Sequence, residues 1–401
     1  MAKSKLVDRR YLLPFILITT LFFLWGFARA ILDVLNKHFQ DELNISITQS
    51  SLIQVTTYLG YFLMAIPAGM FINRNGYRKG VVFGLFIFGL GALSFIPAMQ
   101  MGTFYAFLVA LFVIGCGLVV LETAANPYST VLGPEATASS RLNLSQTFNG
   151  MGCFMATFLV GQYLFRSDGS SGDVTVPYMV MGIVVLAVAV VFMFVDLPEI
   201  QNGDEETESR PMSFSDSLNS LFAHKGFRMG LMALLAYEVA EISINSYFVN
   251  FVTGEGWMDK NGASVIISFA LVIFMVGRFV SSAIMRYVPA EKLLLVCALG
   301  TLVCMLTILM NPGRWALYVL IANYLLEAMM FPTIFSISLR GLGNLTKSAS
   351  SLLMMTPVGG CGFILMGLVA DMTGNLTLPF VIPLLGYAVI VYYAYFIVKK
   401  K

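Results

Sequence analysis

Charge is scarce in this 401-residue chain: Lys, Arg, Asp and Glu together make up 11% of it, against roughly 25% in soluble domains. A water-soluble protein with so little charge could not cover its own surface, so a soluble globular fold is excluded. Lipid removes the difficulty, because it solvates an apolar exterior. The net charge of +2 provides no field that would gather nucleic acid. Histidine is nearly missing, and both copies, His38 and His224, read as loop residues. The five cysteines, Cys116, Cys153, Cys297, Cys304 and Cys361, lie in apolar stretches with no CxxC and no His beside them. That spacing excludes a disulfide framework or zinc site, and the thiols read as small core residues. No nucleophile motif is present. Neither enzymatic activity, nor a cofactor, nor a metal is expected. A cleavable signal peptide is not expected either, because the first apolar run is too long and has no small-residue cleavage site.

What is present is apolar: 58% of the residues are hydrophobic. Twelve stretches stand out, at about 11–35, 49–73, 80–99, 103–130, 141–165, 177–197, 226–252, 263–286, 291–311, 315–340, 347–370 and 377–398. Each is near the ~20 residues a membrane helix needs and far beyond the ~10 of a barrel strand. Helices also pair every backbone group within one segment, as hydrocarbon demands. With the N-terminus placed in the cytoplasm, 18 Lys and Arg fall on the inner side and 4 on the outer, leaving only Arg29 and Arg278 inside spans. The positive-inside bias therefore predicts both termini to be cytoplasmic. The polar stretch 198–225, with QNGDEETESRPMS, reads as a linker between residues 1–197 and 226–401, six spans each. A faint repeat joins the halves: Glu122 precedes Pro127 by five residues, as Glu327 precedes Pro332. Gly150 and Gly152 of span 5 likewise match Gly359, Gly360 and Gly362 of span 11. Parallel repeats of this kind place a substrate site near midplane, between the halves.

Ionisable groups inside a membrane are costly and are functional candidates by default. Five acids fall within spans: Asp33, Glu122, Glu238, Glu241 and Glu327. Burial disfavours the charged form of a carboxyl, so such groups are suited to taking up and releasing protons. Asp33 lies near the outer end of span 1 and Glu122 in the inner half of span 4, so a proton would meet them in that order. Arg29 stands one helical turn before Asp33, on the same face, either pairing with it or releasing it when solute binds. Glu238 and Glu241 are neighbours on span 7, and two close carboxyls resist joint ionisation. Asn245 follows one turn later. A carboxylate and an amide on one stripe suit hydroxyl groups that both donate and accept. Asn143, Gln146 and Asn149 share part of one face of span 5; they either bind solute or tie span 5 to its neighbours. Trp25, Tyr247 and Phe331 offer flat apolar faces in the same spans.

Several longer motifs are more specific. The loop Gly69–Gly80 resembles the GxLaDrxGrk signature of the major facilitator superfamily, with Asn73 where the signature has Asp. The segments Leu121-Glu122-Thr123-Ala124-Ala125-Asn126-Pro127, Arg141 to Asn149, Phe331-Pro332-Thr333-Ile334-Phe335-Ser336 and Phe22-Phe23-Leu24-Trp25-Gly26 resemble the fucose:proton symporter family of bacterial fucose, glucose/galactose and N-acetylglucosamine carriers. The resemblance implies proton coupling and sugar recognition at Asp33 and Glu122, and sugar contacts from Gln146 and Asn149. It also shows departures. Arg29 and Ala30 stand where the fucose carriers have asparagines, Glu241 looks closer to the glucose/galactose branch, and Glu327 replaces a neutral residue.

Together these observations predict an all-α membrane protein of twelve helices in two pseudo-symmetric six-helix bundles. The expected activity is proton-coupled import of a monosaccharide, L-fucose first among candidates, across a bacterial inner membrane. The expected partners are sugar, protons and lipid, with no nucleic acid, and the expected state is a monomer. Glu241, Asn245, Asn143, Trp25, Tyr247 and Phe331 join Gln146 and Asn149 as candidate sugar contacts. Arg29, Glu238 and Glu327 are additional buried charges. The alternative is an exporter of a small metabolite or drug on the same fold.

Overall fold

A computed structural model describes residues 7, 9–43, 45–133, 138–164, 173–195, 197, 214–285 and 287–400. Among these residues there is no strand, and a helix occupies each of the twelve apolar stretches. The first six are α1 (Leu12–Leu43), α2 (Ile47–Asn75), α3 (Tyr77–Met101), α4 (Phe104–Val131), α5 (Ala138–Leu164) and α6 (Thr175–Phe194). The second six are α7 (Lys225–Gly254), α8 (Lys260–Ile284), α9 (Ala290–Leu309), α10 (Trp315–Ser338), α11 (Ser348–Thr373) and α12 (Val381–Lys400). Ten segments are long and apolar enough to cross a membrane by composition alone. The other two, α5 and α7, span 27 and 30 residues. Each gives up hydropathy to the amides and carboxyls it carries.

One correction concerns the connections. His38 does not lie in a loop; it is a buried residue of α1, which runs on to Leu43. Of the stretch 198–225, residues 198–213 lie outside the described residues. The remainder forms a short helix, Phe214–Ala223, and the start of α7.

Proline and glycine set the irregular places. In α10, Pro332 has no N–H for the carbonyl of Ala328, and its ring crowds that carbonyl. Regular helix accordingly stops at Glu327 and resumes at Met330. In α11, Pro357 with Gly359, Gly360 and Gly362 winds Thr356–Gly362 into a 3-10 segment. Two basic residues read from sequence as inner-side charges turn back onto helix ends. Arg141 is fully buried and donates to the carbonyls of Ser129 (3.1 Å), Gly133 (3.0 Å) and Thr130 at the end of α4. Arg78 donates to those of Phe192 and Met193 at the end of α6. A cation there satisfies orphan carbonyls and complements the helix dipole.

Helices α1–α6 pack mainly among themselves, as do α7–α12, and the two bundles meet where α2 faces α11, α5 faces α8 and α1 faces α7. At the end away from the termini, Thr48 donates to the Asp371 carboxylate through its N–H (3.2 Å) and its hydroxyl (2.5 Å), and Gln162 donates to Asn261 (2.8 Å). Deeper in, Gln54 donates to Ser246 (3.1 Å) and Ser268 to Thr157 (2.9 Å). Towards the termini, Gly69 of α2 lies so close to α11 that an added Cβ would fall 1.8 Å from the Ser351 hydroxyl. The bundles are therefore in contact above and below their midplane.

Inside the first bundle, α1 and α5 approach through glycine. A Cβ on Gly26 would sit 2.2 Å from the Asn149 carbonyl oxygen, and one on Gly152 would sit 2.1 Å from that of Phe23. Both obstacles are backbone, which moves only with its helix. Gly152→Ala is expected to cost about 1–3 kcal/mol, the usual scale of overpacking. Thermal unfolding in detergent measures it, and an unchanged midpoint would mean that the helices separate freely.

Candidate functional site

The α1, α4, α5, α7, α8 and α10 faces that turn inward line a narrow polar cavity between the bundles, most of it filled by their own side chains. The first bundle supplies Trp25, Arg29, Glu122, Gln146 and Asn149. The second supplies Tyr237, Glu238, Glu241, Asn245, Arg278 and Phe331.

Helical periodicity explains the grouping. Trp25 and Arg29 are one turn apart on α1, and Glu238, Glu241 and Asn245 follow one stripe of α7. One Arg29 Nη atom donates to Glu238 (2.9 Å) and to Glu241 (2.9 Å), so a single cation bridges the bundles. Its Nε donates to the Tyr58 hydroxyl (3.2 Å). Asn245 donates to the other oxygen of Glu241 (2.7 Å). Of the two roles the sequence left open for Arg29, the structure shows neither directly. Its guanidinium is engaged by α7, and the Asp33 side chain lies outside the described residues.

Glu122 is buried and accepts a hydrogen bond from the Tyr61 hydroxyl (2.7 Å). A polar chain continues on α5: Gln146 donates to Asn126 (3.3 Å), and Asn149 donates to the Phe22 carbonyl (3.3 Å). Their carbonyl sides face Arg278 of α8. Its Nη1 donates to the Gln146 backbone (2.9 Å), the Gln146 side chain (3.2 Å) and the Asn149 side chain (3.2 Å). Its Nε donates to the Ala328 carbonyl (3.1 Å), the one released by Pro332. Three buried polar atoms that α7 contributes to the lining have no hydrogen-bond partner among the described residues: Tyr237 Oη, Asn245 Oδ1 and Glu238 Oε1. Trp25 and Phe331 add apolar faces.

Three sequence candidates fall elsewhere. Tyr247 lies two residues beyond Asn245, about 200° around the helix. Its ring packs among Phe251, Phe363 and Phe380, and its hydroxyl donates to the Leu376 carbonyl (3.1 Å). Asn143 is buried one turn before Gln146, outside the cavity lining. Glu327 sits behind the lining against α12. Conversely, Tyr61, Tyr237 and Arg278 take part without having been singled out. For Arg278 the signal was available, as a cation inside a span. Tyrosines are too common in the apolar runs to signal anything.

Two six-helix bundles with a polar cavity at their shared midplane define the architecture of a secondary membrane carrier. A model of the Major Facilitator Superfamily matches residues 18–365. The L-fucose-proton symporter of Escherichia coli (strain K12) is 35% identical over 97% of this chain and 94% of its own length. The glucose/galactose transporter of Brucella abortus biovar 1 (strain 9-941) is 33% identical over 94% and 92%. A crystal structure of the E. coli fucose:proton symporter aligns with a TM-score of 0.81 and 34% identity, over 97% of this chain and 99% of that one. The chain belongs to the Major Facilitator Superfamily, within the fucose:proton symporter family.

Proposed function

We propose that this chain is a proton-coupled symporter that imports a monosaccharide by alternating access, with L-fucose first among candidates and glucose, galactose or an amino sugar next. The observation that carries the reading is the cavity itself. It sets Glu122, Gln146 and Asn149 of one bundle opposite Tyr237 Oη and Asn245 Oδ1 of the other, and neither of those two atoms has a partner among the described residues. Hydroxyls of a pyranose donate and accept, and so suit amides, a phenol and a carboxyl together. Trp25 and Phe331 would hold its apolar face. The similarity to a named proton symporter supports the coupling, and the buried Glu122–Tyr61 pair is the group suited to carry the proton. Asp33 occupies the place of the family's span-1 aspartate and is proposed for the same relay.

Binding shifts a conformational equilibrium only through differential affinity for its states. A sugar touching both bundles favours the arrangement that closes them upon it. The contacts of Thr48 with Asp371 at one end, and of Gly69 with Ser351 at the other, would then open in alternation. The bundles are proposed as residues 1–197 and 226–401 with 198–225 linking them. The carrier is proposed to sit in a bacterial inner membrane with both termini cytoplasmic, an orientation the Lys and Arg bias supports, and to work as a monomer.

Purified protein in proteoliposomes with an imposed proton gradient tests the reading directly. Labelled L-fucose, galactose, glucose and N-acetylglucosamine are offered in turn. At least one is expected to accumulate, with acidification of the lumen. Absence of sugar uptake together with extrusion of an apolar compound would replace this reading with that of an exporter.

A further inference from the structure

Glu327 is a buried acid that the cavity does not use. It has no exposed surface, and it accepts hydrogen bonds from Asn323 Nδ2 (3.0 Å) and from the Tyr387 hydroxyl, both on Oε2. Asn323 also donates to the Tyr387 oxygen (3.0 Å). Among the described residues the second carboxyl oxygen, Oε1, is buried with no hydrogen-bond partner, and no ion pair reaches Glu327. An anion here would hold charge on an oxygen that no described group stabilises, which is among the costliest arrangements in an interior. A proton on Oε1 removes that charge while Oε2 keeps both donors.

Its surroundings are specific. The titratable or charged groups within electrostatic reach are Glu241 and Tyr237 of α7, Arg278 of α8, Cys304 of α9 and Tyr387 of α12. The sequence repeat gives Glu327 the same position in the second bundle that Glu122 has in the first, five residues before a helix proline. Each acid is bonded to a tyrosine hydroxyl of its own bundle, Tyr61 or Tyr387. Glu327 is also the last residue before the interruption of α10, and the next carbonyl, that of Ala328, is held by Arg278. That same guanidinium holds Gln146 and Asn149. A change of charge at Glu327 is thus one residue from a hydrogen bond that positions the cavity amides.

We propose that Glu327 is a second proton-binding site, the counterpart of Glu122 in the other bundle, linked to the sugar cavity through the Ala328–Arg278 hydrogen bond. This rests on the symport reading above, and it makes the stoichiometry two protons per sugar. The proton that Glu327 takes up would be released unchanged on the opposite side during each cycle.

Counting protons per sugar in proteoliposomes decides the matter, because each count has its own meaning. The unmodified protein is expected to move two. A count of one overturns the second site, and a count of zero overturns symport itself. Glu327→Gln is expected to lower the count from two to one. At a gradient of about one pH unit this means about tenfold less accumulation at equilibrium, since one proton across one pH unit is worth one factor of ten. Glu327→Asp is expected to keep two. A Glu327→Gln variant that still moves two protons overturns the proposal. If that variant does not fold, Tyr387→Phe takes its place: it keeps the acid and removes one donor. It is expected to displace the pH profile of uptake while the count stays at two, and an unchanged profile overturns the proposal.

Discussion

Glu122→Gln is expected to cut uphill sugar accumulation by about tenfold per pH unit of gradient, the share its own proton drives, while leaving exchange of sugar down its own gradient. The substitution keeps the size of the side chain and an oxygen for the Tyr61 hydroxyl, which sits 2.7 Å away. What it removes is the ability to bind and release a proton. At a gradient of about one pH unit, each coupled proton can sustain about tenfold accumulation, and the variant loses the share carried by Glu122. Counterflow, in which labelled sugar enters preloaded vesicles, needs only binding and rocking and is expected to persist within about tenfold of the unmodified rate. Accumulation at the normal level would refute a coupling role for Glu122. Loss of counterflow as well would mean that the carboxyl is needed to hold the sugar. The two assays together separate coupling from recognition, which a single uptake measurement would confuse.

Much of this arrangement is legible in the amino-acid sequence alone. Twelve helices follow from the length of the apolar runs, and the polar faces of α1, α5 and α7 follow from helical spacing. The residues that such spacing picks out, Arg29, Gln146, Asn149, Glu238, Glu241 and Asn245, do meet around one cavity. What spacing could not give is which helix each face meets. Arg29 and Asp33 share a face, so a local pair was open. In the folded chain the guanidinium is taken by two carboxylates of α7 more than two hundred residues away. Tyr247 failed for a related reason: being in the right helix does not place a ring on the right side of it. The role of Arg278 needed three facts at once, namely a span-5 amide pair, a span-8 cation and a carbonyl freed by Pro332. Only the packing of α5 against α8 and α10 brings them together. The break in α10 was readable in principle, since proline removes the hydrogen bond to the residue four before it. Its use as an acceptor for a cavity arginine was not.

The bridge from Arg29 to Glu238 and Glu241 carries the other large expected effect. The Glu238 side chain is fully buried, that of Glu241 is 10% exposed and that of Arg29 is 22% exposed. Removing one partner of a buried ion pair leaves an uncompensated charge and costs about 3–5 kcal/mol. Arg29→Ala strands two carboxyls at once and is expected to lower stability by at least about 3 kcal/mol, read as a drop in the unfolding midpoint in detergent. Replacing all three groups by neutral amides, as Arg29→Gln, Glu238→Gln and Glu241→Gln together, is expected to recover most of that loss, because no charge is then left without a partner. One cation facing two carboxyls leaves an excess negative charge that a single proton removes. Hence Glu238→Gln alone, which fixes that neutral condition, is expected to be far milder than Arg29→Ala. Additivity of the single substitutions would show that the three groups do not act together. Transport distinguishes a mere staple from a moving part. The bridge ties α1 to α7 across the plane along which the bundles must part, so a trio that never opens would hold the carrier in one state. The neutral triple variant is therefore expected to be stable yet to show an altered rate of sugar counterflow, whereas stability with an unchanged rate would assign the bridge to packing alone.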